Sequence, residues 1–172
     1  MDRRGSLRAG QVVTLRSPDF STLDALQVAV DKDLISREFG GGISAHGQAY
    51  LLANGVGDKA ELKVLRSTVM EIVWELVRRK DFPQLPSRCV SIFGCETIQD
   101  AEAFGVRYAG TGPIFEVLAN RYYRLDMNWL EWASPVAQLW SRAYNYWSGT
   151  SSSKPFWEYV VPLPTKVGNR VK

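Results

Sequence analysis

The sequence predicts an α+β domain, and three observations carry that prediction. A short β-rich run comes first, helical periodicity follows, and the rest reads mostly as strands with short helices between them, rather than alternating βαβ units. The 172 residues suffice for one core, and with no linker or repeat in view, residues 1–172 are read as a single domain. Hydrophobic residues make up 45% and charged residues 23%, a globular balance.

QVVTLR, Gln11 to Arg16, is rich in β-branched residues and is stopped by Ser17-Pro18-Asp19, so it predicts a first strand. From a cap at Ser21 or Thr22, the spacing of Leu23, Leu26, Val30 and Leu34 predicts a helix. Recurrent glycine in FGGGISAHGQAYLLANGVG, Phe39 to Gly57, predicts a mobile loop with a short helix between Ser44 and Ala53. Asp58 caps the clearest helix. Its apolar face is Leu62, Leu65, Val69, Ile72, Val73 and Leu76, with Lys63, Arg66, Glu71 and Arg78 largely opposite.

LPSRCVSIFGC reads as a strand; if regular, it sets Ser87, Cys89, Ser91 and Phe93 on one side and Arg88 on the other. Thr97, with Asp100 three residues on, caps a short helix through Phe104. GPIFEVLA and RYYRLDMNW are two further strands, and Ser134-Pro135 opens a helix through about Trp147. FWEYVVPL is read as the last strand.

Several function classes drop out. No run approaches the roughly eighteen apolar residues of a membrane span, and MDRRGSLRAG lacks the apolar core of a secretory signal, so residence in the cytoplasm is expected. Cys89 and Cys95 lie too far apart on an extended chain for a disulfide and are expected to be reduced. Two cysteines and the single histidine, His46, do not make a metal-ligand spacing, so no metal is expected. Triad hydrolysis is not predicted, because His46 sits in the glycine-rich segment and no nucleophile elbow occurs. GGGISAHG lacks the lysine and hydroxyl residue of a phosphate-binding loop. A net charge of +3, with no like-charge block longer than Arg78-Arg79-Lys80, tolerates a nucleic-acid partner without arguing for one.

One acid stands out. On a regular strand Trp157 and Tyr159 share a face, leaving Glu158 with Phe156 and Val160, where a carboxylate requires either a ligand or a protein partner. LR at the end of the first strand, PSRCVSIFGCETIQDAEAFG, and YWSG followed by a proline and the strand-borne Glu158 together resemble the mono-ADP-ribosyltransferase superfamily, its small bacterial and phage members in particular.

The resemblance implies a split β-sheet or β-sandwich with flanking helices, and NAD+ as ADP-ribose donor with nicotinamide released. It implies Glu158 as the catalytic residue and Arg16 on the adenosine ribose or phosphates. Ser87 and Ser91 would brace the nicotinamide half and Glu158, and Arg88 would reach phosphate or a core carboxylate. Phe93, Tyr146 and Trp147 would line the donor pocket. The acceptor would be a macromolecule, protein or nucleic acid; Phe156 replaces the Glu or Gln of the arginine-modifying subgroup, which argues against arginine. Such small domains act as toxins, effectors, or phage and defence factors, so a neutralising partner and delivery into a target cell's cytoplasm belong to the same expectation.

The chemistry explains why one acid suffices. Nicotinamide leaves NAD+ as a neutral molecule and needs no proton, while the ribose becomes cationic and gains from a carboxylate beside it. Two other readings stay open: hydrolysis of NAD+ with water as acceptor, and a non-catalytic module holding nucleic acid or protein on Arg121, Tyr122, Tyr123 and Arg124.

Overall fold

The computed structural model describes residues 7–21, 32–33, 35–52, 59–110, 112–133, 135 and 137–172. The helix expected from Ser21 or Thr22 lies almost wholly outside the described residues, although residues 35–39 near its end are helical.

Among the described residues, six strands form two three-stranded antiparallel sheets. The first sheet holds β1 (Val12–Val13), β6 (Thr165–Arg170) and β3 (Phe115–Leu118), in the order β1-β6-β3. The second holds β2 (Ser91–Gly94), β5 (Trp157–Pro162) and β4 (Tyr123–Asp126), in the order β2-β5-β4. FWEYVVPL is therefore not the last strand: the chain continues through Pro164 into TKVGNR, which becomes the centre of the first sheet. Charged and glycine residues there hid a strand whose alternation still buries Thr165 and Val167.

Among the described residues, and besides the helical residues 35–39, four helices accompany the sheets: α1 (Ala45–Leu51), α2 (Lys59–Asp81), α3 (Ile98–Phe104) and α4 (Ala137–Trp147). The cap of α3 matches its sequence signal, with the Thr97 hydroxyl accepting from Asp100 N at 3.0 Å and donating to the Asp100 carboxylate at 2.7 Å. Arg78, Arg79 and Lys80 stand in the last turn of α2, where cations complement the helix dipole.

The main core unites α2, α4 and one face of the second sheet: Trp74 and Val77, then Leu139, Ala143, Tyr146 and Trp147, then Leu125 and Val160. No residue of the first sheet belongs to it. The buried stripe of α2 is rotated from the expected one, since Ile72 and Leu76 are 46% and 52% exposed while Trp74 and Val77 are fully covered. The reason is long-range: α4 takes the Trp74 side, and buried ion pairs occupy the neighbouring Glu71 side. Leu62 and Leu65 lie where only the backbone is described.

The glycine-rich segment is partly built in rather than open. Ile43 and Ser44 are buried, the Arg16 and Ile43 backbones exchange two hydrogen bonds of 2.9 Å, and Ser44 N donates to Cys89 O. Two glycines permit this. At Gly42 (φ +124) a Cβ would stand 2.4 Å from Arg16 O, and at Gly47 one would stand 2.4 Å from Cys89 O. Gly47→Ala is expected to destabilise by about 1–3 kcal/mol through overpacking against backbone, measured as a lowered denaturation midpoint with unchanged m.

Candidate functional site

The register of the second sheet decides what Glu158 faces. It lies opposite Leu125, and with Val160, Phe93 and Tyr123 it points to the side covered by α2 and α4. It sits on the central strand and is 4% exposed, so it is not a solvent-facing edge acid. The loop before its strand is anchored by Asp126, whose carboxylate accepts from the backbone N–H groups of Asn128, Ser152 and Phe156 at 3.0, 2.7 and 3.0 Å. Burial alone would raise that carboxyl; these bonds hold it below its usual range. Asp126 is a positioning residue that the sequence did not mark.

Arg88 reaches Glu158 because the chain is not a regular strand before Ser91. Residues Arg88–Val90 form a 3₁₀ turn capped by Ser87, whose hydroxyl accepts from Cys89 N at 3.1 Å. The turn breaks the expected two-residue alternation, so Arg88 does not point away from the site, as a strand through Ser87 would require. Its Nη1 donates to Glu158 Oε1 at 2.5 Å, and its Nε lies 3.0 Å from Glu71 Oε2 on α2. Ser91 Oγ donates to Ser87 O at 2.8 Å and closes the turn, so both serines are buried braces for the arginine.

α4 supplies the next partner. Tyr146 is fully buried, and its hydroxyl donates to Glu158 Oε1 at 2.6 Å and stands 2.5 Å from Arg88 Nη1. Both bonds to Glu158 fall on Oε1; Oε2 accepts none among the described residues. Trp147 departs from its expected place beside a ligand: it is a core residue whose indole N–H donates to Trp74 O at 2.8 Å.

The network continues to two residues that sequence reasoning placed elsewhere. Glu71, expected on the polar face of its helix, is buried against Arg88, and His46 Nε2 lies 3.1 Å from Glu71 Oε1. That distance suits an ion pair while its angle misses a hydrogen bond, leaving Nε2 buried without a directed partner. The distance is the better guide, because such bonds in unliganded sites are often poorly aligned. The histidine ring lies between Tyr50 and Phe93, with centroids at 4.6 and 4.7 Å, and the Arg88 guanidinium lies 4.4 Å over Phe93. A lone histidine one position into a capped helix was the one available signal.

The electrostatics follow from this packing. Burial pushes Glu71 toward neutrality, but Arg88 and His46 outweigh it and hold its carboxyl down at about 2. Burial likewise opposes the Arg88 cation, yet Glu158 and Glu71 keep it well above its usual range. Burial raises the Tyr146 phenol, and Glu158 adds to that, so it stays a donor. Cys89, pushed up to about 12 by burial and by Glu71 and Glu75, is no nucleophile; it and Cys95 are free thiols. Side-chain exposure rises along the network, from 5% at Glu158 through 7% at Arg88 and 12% at Glu71 to 16% at His46.

The expected first strand stops at Val13, and Arg16 makes an isolated bridge to Ile43; it is exposed and lies outside this network, linked to it through the backbone bonds Arg16 to Ile43 and Ser44 to Cys89. Among the described residues no group of three or more His, Cys, Asp or Glu could hold a metal ion, and no helix is long and apolar enough to cross a membrane.

The chain belongs to the family described as protein of unknown function (DUF2441), whose family model matches residues 1–172. A comparison with curated proteins found no match.

Proposed function

We propose that the protein cleaves NAD+ at the nicotinamide–ribose bond and transfers ADP-ribose to a macromolecular acceptor, protein or nucleic acid, on a split-sheet scaffold of the ADP-ribosyltransferase type. One observation carries this reading: Glu158 is buried, with Oε1 held by Arg88 and Tyr146 and Oε2 without a bond among the described residues. A carboxylate fixed through one oxygen can offer the other to a ribose hydroxyl, and low local dielectric strengthens its hold on the cationic sugar.

Phe93 presents an aromatic edge between His46 and Arg88 for the nicotinamide half, with Ser87 and Ser91 fixing the turn beneath it. Arg16, exposed and permanently charged, suits the phosphates at the far end of the dinucleotide. Incubation with NAD+ labelled in its adenylate part, together with a cell lysate, is expected to give free nicotinamide and a labelled polymer that protease or nuclease digests. Free ADP-ribose without a labelled polymer would assign the acceptor to water, and an intact NAD+ pool would end the reading.

Arg16→Ala is expected to raise the Michaelis constant for NAD+ by about tenfold, the value of one charge-assisted bond, with saturated turnover within about twofold. A large turnover loss at constant Michaelis constant would give Arg16 another role.

A specific surface favours a binding module as the second reading. On the outer face of the second sheet the Arg124 guanidinium stacks 4.0 Å over Trp157, and Tyr122, 57% exposed, packs edge-on to Tyr159. Tyr123 turns to the inner face instead. Binding of single-stranded RNA that weakens steeply with salt, without NAD+ consumption, would select this reading.

A further inference from the structure

His46, with Glu71 behind it, belongs to the part of the network to which the reaction proposed above gives no role. We infer that His46 is the general base that takes the proton from the attacking nucleophile, aligned for this by Glu71, and that the acceptor is therefore a group that sheds a proton as it attacks, a hydroxyl being the simplest case. This rests on the ADP-ribosyl-transfer reading.

Geometry supplies the first reason. Glu71 Oε1 stands 3.1 Å from Nε2, and the ring is clasped by Tyr50 and Phe93, which limits its rotation. Nε2 is buried on the Glu71 side of the ring. A histidine with a carboxylate beside one nitrogen is the arrangement that accepts a proton from a reacting hydroxyl at the other. Position is the second reason. His46 is the most exposed member of the network and is separated from Arg88 and Glu158 by the ring of Phe93 alone, so it stands where an acceptor would enter. Glu71 remains ionised throughout the neutral range, held down at about 2 against its burial, chiefly by Arg88.

The acceptor class follows from what a base is for. A carboxylate or phosphate acceptor arrives without a proton to lose, whereas a hydroxyl, like a thiol, an amine or a nucleobase N–H, must shed one. The acceptor oxygen forms a bond to ribose C1′. The bond from C1′ to the pyridinium nitrogen breaks, with its electron pair leaving on nicotinamide, which departs neutral. The hydroxyl proton passes to His46 and then to solvent.

The test measures nicotinamide release from NAD+ with water, with added methanol and with sodium azide, an anion that attacks without losing a proton. Wild-type protein is expected to form methyl ADP-ribose from methanol. His46→Gln is expected to lose about a hundredfold with water and methanol and to regain most of it with azide, while Glu158→Gln stays slow with all three. Recovery with azide also shows that the His46 variant is folded. A His46→Gln protein that loses nothing, or that azide does not restore, overturns the general-base role and leaves the transfer reading standing. Wild-type protein that releases no nicotinamide with any of the three overturns the transfer reading, and this inference with it.

Discussion

Glu158→Gln is expected to lower nicotinamide release at saturating NAD+ by about a hundredfold or more, on the order of 3 kcal/mol of transition-state stabilisation, with NAD+ affinity retained. Gln keeps the shape of the side chain and an oxygen for the Tyr146 hydroxyl, which is 2.6 Å from Oε1. It removes the carboxylate charge that faces Arg88. Single-turnover quenching against equilibrium NAD+ binding separates the two quantities. A folded variant with normal affinity and unchanged nicotinamide release would reduce Glu158 to a structural partner of Arg88 and end the transferase assignment.

Arg88→Met is expected to have the largest effect on stability, about 3–5 kcal/mol at neutral pH, because it strands buried carboxylates without their common cation. The pH dependence makes this specific. In the wild type Glu71 is held at about 2, below its ordinary 4.5, so its contribution is fully present above about pH 4.5 and is lost as pH falls toward 2. That interval corresponds to roughly 3 kcal/mol. In Arg88→Met, burial acts on Glu71 without the guanidinium and raises it, so the folded state binds more protons than the unfolded one. Its stability should then rise as pH falls from about 7 to 5, while the wild type stays flat there. Urea midpoints at several pH values check the sign; parallel curves for the two proteins would mean that Arg88 and Glu71 are not electrostatically coupled.

The legible parts of the fold are those whose causes are local. The α3 cap needs only Thr97 and Asp100, and the burial of Glu158 follows from two-residue alternation between Trp157 and Tyr159. The direction of Arg88 was not legible, because one 3₁₀ turn of three residues shifts the phase of everything before Ser91. Glu71 looked solvated because the residue that pairs with it lies seventeen positions on and in another element. Thr165–Arg170 was hidden by its composition: half of a central strand's pattern here is set by the neighbours on each side, Val12 and Val13 on one and Phe115 to Leu118 on the other. Of the residues proposed from sequence for the site, Ser87, Arg88, Ser91, Phe93, Tyr146 and Glu158 do converge, whereas Arg16 and Trp147 stand apart.

The middle strand of each sheet comes from one continuous stretch, residues 157–170. On the ribosome this stretch emerges after both of its flanking strands in either sheet, so strands β1 to β4 wait as unpaired edges until the late segment is available to lie between them. Neither sheet can form in part beforehand, and closing Val12 onto Lys166 spans most of the chain, which slows folding. Premature termination before Trp157 would therefore leave a chain with two incomplete sheets rather than a smaller domain. Chains released after truncation before Trp157 are expected to be degraded by a protease pulse, and chains that include Arg170 to survive it once released.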